Sequence, residues 1–161
     1  MKGELEMAEN NIPIQGMQTG HIGLNVSDLD RSKNFYQRVF GFEVVGESQE
    51  EGRRFVFLSE GRKLVLTLWQ QGEGRFDKQR PGLHHLSFQV ATIEDVKQAE
   101  QKLRELQVPL FYDGIVPHAE GGESGGIFFE DPDGIRLEIY APTGAAHRTA
   151  PTPGAPSCGF F

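Results

Sequence analysis

Two stretches of the chain carry one pattern. His21-Ile-Gly-Leu-Asn-Val26 alternates small or polar side chains at 21, 23 and 25 with apolar ones at 22, 24 and 26, and His85-Leu-Ser-Phe-Gln-Val90 does the same. A period of two puts one set of side chains on each face, so both stretches predict half-buried strands. A helix-start signal follows each, Ser27-Asp-Leu-Asp30 in the first copy and Thr92-Ile-Glu-Asp95 in the second. In such a signal a Ser or Thr oxygen accepts from an unpaired N–H of the first turn, and the acid three residues on reaches back. Apolar stripes at helical spacing come next: Leu29, Phe35, Tyr36, Val39 and Phe40 up to Gly41, and Ile93, Val96, Ala99, Leu103 and Leu106 up to Pro109. Each copy closes with strand, turn and strand, over 54–58, 59–62 and 63–69 and again over 126–130, 131–134 and 135–140. The second turn, Asp131-Pro-Asp-Gly134, has Pro to preset φ and Gly to supply a left-handed residue. The chain therefore spells βαβββ twice, which predicts an α+β fold of two modules whose helices cover the apolar strand faces.

The rest of the sequence frames these modules. Residues 1–18 are polar and aperiodic and are read as a flexible arm. The first module spans 19–70, a Gln/Gly/Arg/Pro-rich linker 71–83, the second module 84–141, and a Pro/Gly/Ala-rich tail 142–161. The tail is expected to be untethered; the alternative is that Phe160 and Phe161 dock on the body or on a neighbouring subunit. A net charge of −7 argues against nucleic acid as a partner. No apolar run reaches the length that a membrane helix needs, and the acidic N-terminus lacks the apolar centre of a signal peptide, so a cytoplasmic protein is expected. The single cysteine, Cys158, provides neither an internal disulfide nor a thiolate metal cluster. Gly121-Gly-Glu-Ser-Gly-Gly126 lacks the Lys-Ser/Thr ending of a phosphate loop. No Gly-x-Ser-x-Gly elbow joins a strand to a helix.

With Ile22, Leu24, Val26, Leu86, Phe88, Val90, Ile135, Leu137 and Ile139 assigned to the helix side, the opposite face carries His21, Gly23, Asn25, His85, Ser87, Gln89, Arg136, Glu138 and Tyr140. A washed sheet face would give the same alternation. Against that stands an apolar wall that Leu64, Leu66 and Leu68 could add to this face, and the two histidines at matching repeat positions. If the modules pack about a pseudo-twofold, His21 and His85 begin paired strands, and Glu138 adds a carboxylate. Two neutral imidazoles and a carboxylate suit a divalent ion and leave positions open for a substrate. Spacing alone leaves open whether the three converge.

The segments His21 to Asp28, Ser32-Lys-Asn-Phe-Tyr36, Phe40-Gly-Phe42, Pro81 to Phe88 and Phe129-Glu-Asp-Pro-Asp-Gly-Ile-Arg-Leu-Glu138 together resemble the vicinal oxygen chelate superfamily, which includes glyoxalase I, bleomycin resistance proteins and extradiol dioxygenases. The resemblance covers residues 20 to about 141. It implies the glyoxalase/bleomycin resistance/dioxygenase fold, two βαβββ modules curling into an open cup-like barrel. It implies metal ligands at His21, His85 and Glu138 for one divalent ion per chain, Fe(II) or Mn(II) favoured over Zn, Ni or Co. His84 would then point to the other face in a buried or supporting role. Glyoxalase I carries a further glutamate ligand where this chain has Leu66, which counts against lyase or epimerase chemistry. In the extradiol enzymes a tyrosine sits ten residues before the ligand glutamate; here that position is Phe128. His118, in the glycine-rich loop, is the acid–base candidate, and Tyr140 a second catalytic candidate beside Glu138. Arg136 could steer an anionic substrate, and Phe57 and Trp69 could line the cup. The expectation is a metal-dependent, extradiol-like dioxygenase acting on a small molecule, working as a homodimer. The alternatives are a non-catalytic binding protein of the bleomycin-resistance kind and a glyoxalase-like lyase or thiol transferase.

Overall fold

The computed structural model describes residues 14–161; the arm expected over 1–18 lies mostly outside that range, and 14–18 are exposed and irregular. The first module runs β1 (Ile22–Asn25), α1 (Leu29–Phe40), β2 (Glu43–Ser48), β3 (Phe55–Glu60) and β4 (Lys63–Trp69). The second runs β5 (Leu86–Gln89), α2 (Ile93–Glu105), β6 (Val116–Pro117), β7 (Gly125–Glu130) and β8 (Arg136–Ala141). The two sheets have the same strand order, β1-β4-β3-β2 and β5-β8-β7-β6. In each, the opening strand lies parallel to the closing one, with Ile22 opposite Leu66 and Leu86 opposite Leu137. The internal repeat of the sequence is thus a repeat of topology.

The helices form where their caps and stripes direct. Thr92 and Asp95 make the expected reciprocal capping box at the start of α2. At α1 the cap is Asp28, whose side chain accepts the Arg31 N–H, and not Ser27. Ser27 is diverted to the second module, where its N–H donates to Asp133 Oδ2 at 2.9 Å and its hydroxyl to Oδ1 at 2.5 Å. Gly41 ends α1 at φ 74°, a left-handed value that only glycine adopts without cost.

The assigned faces hold: Leu24, Val26, Leu86, Ile135, Leu137 and Ile139 lie in one buried cluster that spans both modules. Phe40 of α1 joins them, its ring 4.6 Å from Phe88 and 6.3 Å from Phe129. The modules therefore meet through their helix-covered faces. Asp133 and Asp131 of the closing turn lock this arrangement. Asp133 also pairs with Arg31 at 2.6 Å, and the Tyr36 hydroxyl donates to Asp131 at 3.0 Å.

Two expectations are corrected here. Leu66 and Leu68 do not wall the polar face: they stand opposite Ile22 and Leu24 in register, share their face, and are fully buried in the core. The tail is not untethered either. Its short 3-10 turn, Ser157–Gly159, is pinned to the second sheet, and Phe161 is buried.

Candidate functional site

The centre of the second sheet's polar face is Glu138 of β8, opposite Ser87 of β5 and Phe128 of β7. It is 2% exposed, a position in which a carboxylate needs partners. It has two. One oxygen accepts from His118 Nε2, and the other lies 3.5 Å from His85 Nε2. The glycine-rich loop delivers His118, whose Nδ1 meets the Ser124 hydroxyl at 2.8 Å. A carboxylate only accepts, so the His118 proton sits on Nε2, and Ser124 donates to Nδ1 when the ring is neutral.

His85 stands one residue before β5, its Nδ1 2.9 Å from Nδ1 of His84. Arg136 Nη1 lies 3.2 Å from His84 Nε2. His84 is thus an exposed neighbour on the same side as His85 and does not take the opposite, buried place expected of it. Burial holds the His85 imidazole below its ordinary pKa, with the Glu138 charge opposing. A neutral imidazole is the form that can ligate a metal. Tyr140 shares the face; its ring is 5.2 Å from that of His118, while its hydroxyl donates to Gln89 at 2.8 Å.

His21 does not join this group. It is exposed ahead of β1, and among the described residues no three His, Cys, Asp or Glu side chains of one chain are placed to hold a metal ion. The reason is architectural. Because the modules join through their helix faces, β1 and β5 are end strands of separate sheets and do not pair with each other. Two of the three donors expected, His85 and Glu138, are brought together, and the third is left on the other module. The donor chemistry of this pair fits a divalent ion, but one chain leaves the set short.

The polar face of the first sheet also differs from its expected composition. Phe55 and Phe57 alternate with buried Val56 and Leu58, and their rings pack against Trp69, Phe55 tilted at 5.3 Å and Phe57 edge-on at 5.8 Å. The Trp69 indole N–H donates to Thr67, which stands opposite Gly23. The apolar wall exists, but it is aromatic and built from β3 and β4. Since Leu66 faces the core, the position beside the polar face is Thr67, which carries no carboxylate. Phe57 and Trp69 are the aromatics expected at the cup, and the alternation at 55–58 is the signal that adds Phe55 to them. Nothing in the sequence marked Ser124 as a partner of His118, because that contact depends on how the loop folds.

A family model described as the Glyoxalase/Bleomycin resistance protein/Dioxygenase superfamily matches residues 18–139. The chain is 32% identical over 128 residues to YwkD, an uncharacterized protein of Bacillus subtilis (strain 168), covering 74% of this chain and 93% of that protein. It is 28% identical over 124 residues to a trivalent organoarsenical cleaving enzyme of Bacillus sp. (strain MD1), covering 77% of this chain and 73% of the enzyme. Its fold superposes with a TM-score of 0.68 on the crystal structure of a glyoxylase/bleomycin resistance protein/dioxygenase domain from Frankia sp. EAN1pec, at 25% identity, covering 81% of this chain and 95% of that one. With the repeated βαβββ topology and a model match over most of its length, the chain belongs to the glyoxalase/bleomycin resistance protein/dioxygenase superfamily.

Proposed function

We propose that the protein is a mononuclear divalent-metal enzyme whose ion is held by His85 and Glu138 together with His21 of the partner subunit. The observation that carries this reading is the position of the donors. His85 precedes an end strand of one sheet and His21 an end strand of the other. An unpaired strand edge is a template for another strand. A second copy related by a twofold axis can lay its β1 edge along β5, and the same operation completes a second, identical site. Two imidazoles and a carboxylate suit Fe(II) or Mn(II) and leave positions free for a substrate.

When bound, the ion would supply Lewis acidity and a template for two adjacent oxygens of a small molecule. The chain's own residues do the rest. His118 holds the Glu138 carboxylate in one orientation and keeps a proton at Nε2, within reach of the same face. Tyr140 narrows the rim beside His118. Extradiol-like dioxygenase chemistry is favoured over proton shuttling of the glyoxalase kind, because β4, which pairs with the strand that His21 precedes, carries Thr67 and no carboxylate.

The aromatic wall of Phe55, Phe57 and Trp69 favours a second reading, a binding cup for an aromatic molecule without chemistry. Metal analysis of untagged protein separates the two. The enzyme reading expects about one Fe or Mn per chain, lost in His85→Ala and Glu138→Ala, and oxygen uptake with catechols. Protein that takes up no ion, even on reconstitution, leaves the binding cup.

A further inference from the structure

Phe161 is seated on the polar face of the second sheet. Its ring centroid is 4.7 Å from Phe128, 5.8 Å from His85 and 5.8 Å from Phe111, and the Arg136 guanidinium carbon lies 5.7 Å from its centre. It is 5% exposed, whereas Phe160 beside it is 64% exposed. The seat is made by residues of the body, and the tail brings the ring to it. Ser157 donates its N–H to the His118 carbonyl and its hydroxyl to that of Pro117, and the Tyr112 hydroxyl donates to the Ser157 carbonyl.

Two features of this seat go unused by the phenyl ring. Arg136 pairs with no carboxylate among the described residues: its Nη1 meets the His84 ring, and its Nε is buried without a hydrogen-bond partner. A guanidinium over a ring face gains from the quadrupole, but its N–H groups gain more from an anion. An aromatic ring bearing a carboxylate would satisfy both parts of the seat, with the ring on Phe128 and the anionic group at Arg136.

We propose that the seat of Phe161 is a binding subsite for an aryl anion, and that Phe161 is its tethered internal occupant. The tail sets the apparent affinity: a ligand meets a free seat only for the fraction of time that Phe161 is out of it. A tether also gives the ring a high effective concentration, on the order of millimolar for a short flexible linker. The seat adjoins the proposed metal site but needs no ion, so this inference stands or falls apart from that reading.

The test is titration with benzoate by calorimetry in the presence of EDTA, which prevents a bound ion from anchoring the carboxylate. Phe161→Ala should bind benzoate about tenfold or more tightly than the unaltered chain, as expected when an occupant seated nine-tenths of the time is removed. Phe160→Ala should bind like the unaltered chain, and adding Arg136→Gln to Phe161→Ala should abolish the gain. Equal or weaker binding by Phe161→Ala, or none at all, overturns the proposal. Should that variant fail to fold, 4-fluorophenylalanine at position 161 of the intact chain gives a second measurement. Its fluorine resonance should move towards that of the same label at position 160 as benzoate saturates. A resonance that stays fixed overturns the proposal as well.

Discussion

His21 and His85 hold equivalent places in the two modules, each just ahead of its opening strand, yet only His85 reaches Glu138. The repeat would make them a pair if β1 and β5 ran side by side. Within one chain they do not, because α1 packs against the second module through Phe40 and so turns the helix faces inward. In the proposed site a second copy of the chain restores that equivalence.

If His118 acts by holding Glu138, replacing it should weaken the site without erasing it. His118→Gln is expected to lower Mn(II) affinity about 10- to 100-fold, as is usual when a partner of a ligand is lost, whereas His85→Ala removes binding. Competition titration with a coloured chelator measures both. Equal, complete loss in the two variants would make His118 a ligand in its own right.

Asp133 ties the modules together through the Ser27 N–H, the Ser27 hydroxyl and Arg31, and is itself 4% exposed. Asp133→Ala leaves the part-buried Ser27 N–H and O–H without their acceptor and should cost about 2–3 kcal/mol, mostly through Ser27, since Arg31 is half exposed to screening solvent. The urea midpoint should fall with an unchanged slope. A loss below about 0.5 kcal/mol would show the clasp to be ornamental.

Burial raises Asp131 to about 6, although the Ile135 and Asp133 N–H groups and the Tyr36 hydroxyl favour its charge. The same burial, with Asp131 beside it, lifts the Tyr36 phenol well above its usual range. The folded chain therefore holds a proton on Asp131 more tightly than the unfolded chain, where an ordinary aspartate titrates near 3.8. Its contribution is full below about pH 4 and declines as the pH rises through about 6, by up to about 3 kcal/mol. Asp131→Asn keeps the acceptor for both N–H groups and has no charge to bury. Its urea stability should lack that decline between pH 4 and 6.

Gly126 lies opposite Tyr140 in the β7–β8 pair, where a Cβ would fall 2.3 Å from the Ile139 carbonyl oxygen. Backbone cannot yield as a flexible side chain does, so Gly126→Ala should separate the strands that position Glu138. A loss of about 3 kcal/mol or failure to fold is expected, together with lost metal binding. A stable, metal-binding variant would mean that the strands can shift.

The fold was legible because it is written twice: period-two strands, capped amphipathic helices and an Asp-Pro-Asp-Gly turn agree with one another in both copies. The helix-facing residues follow directly from that alternation. Leu66 and Leu68 were misplaced because an alternating run does not say which of its two faces is buried; only register with Ile22 and Leu24 does. His85 and Glu138 meet as their strand positions imply, being carried by neighbouring strands. The His21 expectation rested on a pairing of β1 with β5, and pairing between modules depends on which faces dock, a property of Phe40, Phe88 and Phe129 together. Phe161 could be flagged as odd in a polar tail, but its seat is made by residues far away in sequence.

The most direct test of a site shared between subunits is metal content in a purified heterodimer of His21→Ala and His85→Ala chains. Each homodimer has every site broken and should bind no Mn(II). In the heterodimer the unaltered His21 of one chain faces the unaltered His85 of the other, so one of its two sites is whole. Half the metal of the unaltered dimer, about one ion per two chains, is expected in the heterodimer. A heterodimer as empty as its parents would contradict a shared site.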